Sequence, residues 1–299
     1  MCQIVNTSLY FCIICGKAGG KYGRQFWIES VGKMIQTTTL QRVGAAIFRV
    51  LFVILAITPV SALAGPEAGM DFLGQQKQYP RVRKAVQNKA DALERSLAAQ
   101  GLKSADLNIL IVAYKSEAVL DLYAKSVKEG SYRKLVSYPV CAASGNLGPK
   151  RRQGDSQVPE GFYRIDRFNP VSNFLLSLGI DYPNAADKRK TRAADPGGDI
   201  FIHGSCVSIG CLSMTDALIE EIYLYAVYAR NSGQKTIPVY IFPFRMTQEN
   251  MKKHETIYSE RPELLDFWRN LKIGHDKFIE NGAALKVSVT QKGDYSFGP

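Results

Sequence analysis

The sequence predicts an α+β protein with a mainly antiparallel sheet and helices added at both ends. Three observations carry that expectation. Short apolar runs rich in β-branched and aromatic residues crowd positions 107–178. Helical periodicity is concentrated before position 102 and after position 212. No internal repeat and no heptad pattern interrupts this order, so strands and helices segregate along the chain.

Each element can be justified in turn. Residues 65–79 are a polar lead-in. From Pro80, the residues Val82, Val86, Leu93 and Leu97 mark one face of a helix that Gln100-Gly101 ends. Runs 107–114 and 118–123, separated by Lys115-Ser116-Glu117, read as a β-hairpin, with a third strand at 135–141. Residues 144–155 are turn-rich and basic, a loop by composition. Strands follow at 162–166 and 174–178, then a long polar loop at 181–198 containing Pro183, Asn184, Pro196, Gly197 and Gly198. A short strand at 199–203 ends on a histidine. Ser213 and Asp216 read as a capping pair opening a helix along Leu218, Ile222, Tyr225 and Ala229, which Asn231-Ser232-Gly233 stops. A strand at 236–242, helices near 247–256 and 262–280, and a strand at 285–290 complete the chain.

The start of the chain reads as export. An apolar core at 50–60 follows Arg42 and Arg49, and Ser61-Ala62-Leu63-Ala64 supplies a small-residue site, so cleavage is expected after Ala64. Met34 heads an ordinary leader, which makes residues 1–33 an over-extended start; a longer uncleaved membrane-anchoring leader is the alternative. The expected division is 1–33, a signal peptide at 34–64, a helical extension at 65–106, and a catalytic domain at 107–299 with a C-terminal helical elaboration. Six Lys/Arg and one Asp/Glu lie in residues 1–64, so +5 of the net +11 sits there and +6 remains. A basic surface of that kind is usually a solvated face, but it also suits an anionic polymer such as a cell wall. An exported chain has little call for nucleic acid.

The chemistry centres on His203-Gly204-Ser205-Cys206-Val207-Ser208-Ile209-Gly210-Cys211. The chain has only three histidines, His203, His254 and His275, so a Cys/His pair can nearly be named from sequence. Cys211 reads as sitting just upstream of a helix start, where the helix dipole and His203 would both favour a thiolate. Backbone N–H groups around Gly210 and Cys211 could hold an oxyanion. Blander readings compete: a small core cysteine, a zinc site of His203, Cys206 and Cys211 with no evident fourth ligand, or a disulfide. Beyond the leader there are three cysteines, Cys141, Cys206 and Cys211. A Cys141–Cys206 bridge would free Cys211, a Cys206–Cys211 bridge would block it, and both pairings stay open.

At this point the residues resemble the L,D-transpeptidase (YkuD-type) catalytic domain family, in its YafK-like branch. The agreeing pieces are Cys141-Ala-Ala-Ser-Gly-Asn-Leu147, Gly148-Pro149-Lys150, Gln153-Gly154-Asp155 and Pro159-Glu160-Gly161-Phe162-Tyr163. They continue with Asn169-Pro170, Tyr182-Pro183-Asn184, the run from His203 to Met214, and Phe242-Pro243-Phe244-Arg245-Met246. The resemblance implies an L,D-transpeptidase-like catalytic fold in the periplasm or cell envelope, acting on peptidoglycan stem peptides at meso-diaminopimelate. It implies Cys211 as nucleophile, His203 as general base and acid, Ser208 and Gly210 shaping the oxyanion loop, and no metal or organic cofactor. Commoner members carry a second histidine where this chain has Ile209 and an arginine where it has Ser213.

Three functions follow as expectations. The first is a transpeptidase that cross-links stem peptides or attaches a wall lipoprotein through an acyl-enzyme thioester. The second is a hydrolase that releases murein-bound lipoprotein by resolving the same acyl-enzyme with water. The third is a non-catalytic wall-binding module closed by a Cys206–Cys211 disulfide. Lys150, Arg151 and Arg152 could meet stem-peptide carboxylates, Tyr163 and Asn184 could line the groove, and Arg245 suits a structural ion pair.

Overall fold

A computed structural model describes residues 70–298. The expected leader and the segment before it lie outside the described residues.

Helix α1 (Phe72–Lys77) forms within the polar lead-in, where Asp71 caps it by accepting from Gly74 N at 2.7 Å. Helix α2 (Pro80–Ala98) opens with proline at a first-turn position, where its missing N–H leaves nothing unpaired, and buries Val82, Ala85, Leu93 and Leu97. Strands β1 (Leu107–Tyr114), β2 (Val119–Ser126) and β3 (Arg133–Pro139) form the predicted antiparallel meander. Next come β4 (Gly161–Asn169) and β5 (Ser177–Ile180), also antiparallel. β5 starts three residues later than its apolar run suggested, because residues 170–176 turn and carry Phe174 away from the sheet.

The long polar loop contains a helix, α3 (Ala185–Lys190), closed by a reciprocal Asn184/Asp187 capping box. Strands β6 (Phe201–His203) and β7 (Leu212–Ser213) lead to helix α4 (Asp216–Asn231). Its cap is Thr215, whose hydroxyl accepts from Leu218 N at 3.3 Å, and not Ser213, which belongs to β7. Strand β8 (Pro238–Phe242), helices α5 (Gln248–Ile257) and α6 (Pro262–Asn281), and a small hairpin of β9 (Val287–Val289) and β10 (Tyr295–Phe297) complete the chain.

The main sheet has eight strands in the order β3-β2-β1-β8-β4-β5-β6-β7. It is mainly antiparallel, with parallel pairs at β1/β8 and β6/β7. β4 serves both halves: residues Gly161 to Arg164 pair with β8, and Ile165 to Asn169 pair with β5.

Alternate residues of the central strands enter different cores. Ile109, Ile111, Ala113, Val239 and Ile241 pack with α2 and α4. Leu110, Val112, Tyr114, Tyr240 and Phe242 pack with residues of α5 and α6 such as Met251 and Trp268. A strand covered on both faces has no solvent side to mark with polar residues, which is why 107–114 reads as an unbroken apolar run. Helix α4 is buried almost along its whole length for the same reason.

One ion pair lies between the turn after β1, the start of β4 and α6. Glu160 is fully buried and accepts from Lys115 Nζ at 2.9 Å, Gly148 N at 2.7 Å and Trp268 Nε1 at 2.8 Å. Glu160→Ala would strand a buried ammonium and a buried indole N–H. We expect a loss of about 3–5 kcal/mol in chemical denaturation, and an unchanged midpoint would show that water replaces the carboxylate.

Candidate active site

His203 is the last residue of β6, and Ser213 lies opposite it on the parallel strand β7. The nine residues between them, 204–212, leave the sheet as a loop and return through Cys211. Two consecutive non-glycine residues, Ser205 (φ 72°) and Cys206 (φ 42°), hold left-handed backbone there. Such conformations persist only when neighbours enforce them. Asp216 Oδ1 accepts from Ser205 N at 2.9 Å, and Cys206 is disulfide-bonded to Cys141. The segment carrying Cys141 is itself paired to β7, through Cys141 N to Ser213 O at 2.9 Å and Ser213 N to Ala142 O at 3.1 Å.

Cys141 and Cys206 therefore form the bridge, and Cys211 is the free thiol among the described residues. This overturns the Cys206–Cys211 disulfide and, with it, the footing of the non-catalytic module. It also removes Cys206 from the zinc triplet, since a bridged sulfur is not a thiolate ligand.

Cys211 and His203 line one cavity of about 450 Å³, together with Asn169, Phe174, Ser177 and Phe201. The imidazole is buried, its ring 4.5 Å from that of Phe174, with Nδ1 2.6 Å from Gly204 O and Nε2 3.3 Å from Ser213 Oγ. A carbonyl oxygen only accepts, so Nδ1 carries a proton and Nε2 is the nitrogen available as a base. The Cys211 thiol donates to Asp199 O at 3.8 Å.

Electrostatics set the pair differently from the sequence expectation. Four residues, 212–215, lie between Cys211 and the first residue of α4, so Cys211 is outside the helix's first turn, where the dipole acts. Burial raises the Cys211 thiol above its ordinary range, only partly offset by a backbone hydrogen bond from Phe201. Burial likewise lowers His203, against the Gly204 hydrogen bond that raises it. Both effects favour a neutral thiol and a neutral imidazole.

Ser208 organises the loop. Its Oγ accepts from Gly210 N at 3.2 Å and Cys211 N at 3.0 Å and donates to Cys211 O at 2.8 Å. The N–H groups expected to form an open oxyanion hole are thus engaged by the Ser208 hydroxyl. Gly210 has φ 133°, and a Cβ there would lie 3.2 Å from Gln157 O, so the turn favours glycine.

Other predicted residues lie elsewhere. Lys150 pairs with Asp155 at 2.6 Å and Arg151 with Asp187 at 3.0 Å, while Arg152 is exposed. Tyr163 donates to Asp187, and Asn184 caps α3 and donates to Phe162 O and Tyr295 Oη. Neither lines the cavity. Arg245 bonds the fully buried Asp121 at 3.1 Å, the structural ion pair expected of it. Sequence reasoning missed Phe174 and Ser213. Phe174 was hidden in an apolar run, and Ser213 was assigned to a cap. Ile209 is 85 % exposed on the cavity rim.

A thiol and an imidazole on one cleft, with the imidazole oriented by a carbonyl, is a layout suited to acyl transfer through sulfur. Residues 108–241 match the L,D-transpeptidase catalytic domain family, YkuD. YafK of Escherichia coli (strain K12), whose name places it with the L,D-transpeptidases, is 43% identical over 183 residues, covering 60% of this chain and 70% of that one. The chain belongs to the L,D-transpeptidase family, a family of peptidoglycan-related enzymes. Among solved structures, the helical cell shape determining protein Pgp2 of Campylobacter jejuni is 19% identical with a TM-score of 0.37, covering 61% of this chain and 73% of that one. Bd1075 of Bdellovibrio bacteriovorus is 20% identical with a TM-score of 0.34, covering 54% of this chain and 57% of that one.

Non-reducing peptide mapping should recover Cys141 and Cys206 in one cross-linked peptide and Cys211 as an alkylated thiol. A peptide joining Cys206 to Cys211 would overturn the assignment. Because burial raises the thiol, iodoacetamide alkylation of Cys211 should be slow at neutral pH and accelerate through a midpoint above the ordinary cysteine range. A midpoint below that range would mean a preformed thiolate.

Proposed function

We propose that the protein is an exported cysteine enzyme of the cell envelope that cleaves or exchanges amide bonds at meso-diaminopimelate in peptidoglycan stem peptides. The observation that carries this reading is the free Cys211 facing the same cavity as His203, whose imidazole is held by the Gly204 carbonyl. The basic balance of the chain suits an anionic wall polymer.

The chemistry follows from the available atoms. Substrate entry displaces water, and His203 Nε2 takes the Cys211 proton as sulfur attacks the scissile carbonyl carbon. The carbonyl oxygen gains charge and competes with the Ser208 hydroxyl for the N–H groups of Gly210 and Cys211. As the C–N bond breaks, Nε2–H protonates the leaving amine, leaving a thioester on Cys211. An acceptor amine then gives its proton to Nε2 and attacks the thioester carbonyl; the C–S bond breaks, and the Cys211 thiolate takes that proton back from Nε2. A stem-peptide amine gives a cross-link, a lipoprotein lysine gives attachment, and water in the acceptor's place gives hydrolysis.

Wall digests analysed by mass spectrometry, with and without bound lipoprotein, test this reading. New diaminopimelate cross-links or protein attachment that depend on Cys211 would support transfer. Release of bound protein without new links would support hydrolysis, and no Cys211-dependent product would sink both. Cys211→Ala should abolish turnover with the fold intact, since the thiol makes no covalent bond in the structure. His203→Ala should cut the rate ~10²–10⁴-fold, and full activity in that variant would refute its role as base.

A further inference from the structure

The hydrogen bonds around His203 have an informative proton count. Nδ1 faces Gly204 O at 2.6 Å, and Nε2 faces Ser213 Oγ at 3.3 Å. The Ser213 hydroxyl in turn donates to Val207 O. A serine has one hydroxyl proton. With that proton on Val207 O, a neutral imidazole protonated at Nδ1 sets its Nε2 lone pair against the lone pairs of Ser213 Oγ. An imidazolium satisfies every contact: Nδ1–H to Gly204 O, Nε2–H to Ser213 Oγ, and Ser213 O–H to Val207 O.

The hydroxyl is fixed in that place. Ser213 is fully buried, and it pairs with His203 across β6 and β7, where Met214 N donates to His203 O at 2.7 Å. Phe174 lies against the imidazole at 4.5 Å, tilted 30°, and an aromatic face favours a cation beside it. The charged groups nearby do not take over this task. Asp199 lines the cavity but pairs with Arg167, Asp216 holds Ser205 N, and Lys150 acts on Cys211 and is paired with Asp155. Among the described residues, the imidazole hydrogen-bonds only Gly204 and Ser213.

We infer that Ser213 is a positioning residue that stabilises the imidazolium form of His203, and so offsets the cost of moving the Cys211 proton onto a buried ring. The inference rests on the reading of Cys211 and His203 as the reacting pair. In the step it assists, the S–H bond breaks and the Nε2–H bond forms, giving thiolate and imidazolium with no other reactant. Ser213 touches neither substrate nor sulfur in this account. It acts through the imidazole, sharing the Nε2 proton until the leaving amine takes it.

The test is the pH dependence of Cys211 alkylation by iodoacetamide in the full chain, read at the Cys211 peptide by mass spectrometry. Wild type is compared with His203→Ala, Ser213→Ala, Ser213→Thr and Ser213→Val. Threonine and valine have nearly the same volume and differ in the hydroxyl, so the pair separates hydrogen bonding from packing. Ser213→Ala and Ser213→Val should slow alkylation at neutral pH by about tenfold and move the midpoint up by about one pH unit, the two being the same free energy. Ser213→Thr should stay near wild type. Slowing in His203→Ala but in none of the Ser213 variants would overturn this inference alone. Threonine and valine falling together would also overturn it, leaving a packing role. Unchanged alkylation in His203→Ala would overturn the Cys/His pair and this inference with it.

Discussion

Glu160 has no access to solvent, yet it holds together parts of the chain that are distant in sequence. Its carboxylate gathers the Lys115 ammonium, the Gly148 amide and the Trp268 indole. Lys115 in turn donates to the carbonyls of Gly148 and Val158. The loop between residues 148 and 160 is thereby pinned to the β1–β2 turn and to α6. That loop is the floor against which the site is built, because Gln157 O backs onto Gly210 at the distance that leaves no easy room for a Cβ. A buried charge is costly unless it is paired and hydrogen-bonded; here Lys115, Gly148 and Trp268 offset that cost, and the loop is held in place as a consequence.

The disulfide adds the second constraint, from the other side. Cys141 follows β3 and Cys206 lies in the loop after β6, so the bridge joins opposite ends of the eight-stranded order. It anchors a loop whose backbone is left-handed at two successive residues. Between this anchor and the Glu160 cluster, Ser208 closes the turn internally with three hydrogen bonds. The position of Cys211 thus follows from covalent, ionic and hydrogen-bond restraints that converge on nine residues.

Two residues that the resemblance singles out, Ile209 and Ser213, take opposite places in the site. Ile209 projects to solvent at the cavity rim, where it offers an apolar contact. Ser213 goes inside and sets a small hydroxyl against Nε2 of His203. The apolar rim bears on what enters the cavity, and the hydroxyl bears on the charge state of the base.

Much of this was legible in the residues themselves. Hydrophobic period marked α2, α4, α5, α6 and most strands, since a 3.6-residue or a two-residue repeat is a local property. The scarcity of histidine and the Ser-x-Gly-Cys run single out Cys211 and His203 from sequence, and the fold sets both on one cavity. The family match followed from the same motifs. The tertiary structure alone decided which cysteines pair, that Ser213 lies against the imidazole and does not cap a helix, that Phe174 leaves the sheet to cover His203, and that β1 and β8 run parallel. Each of these is a contact between segments tens of residues apart. Local periodicity carries no information about such closures, which are chosen by the packing of two cores around one sheet.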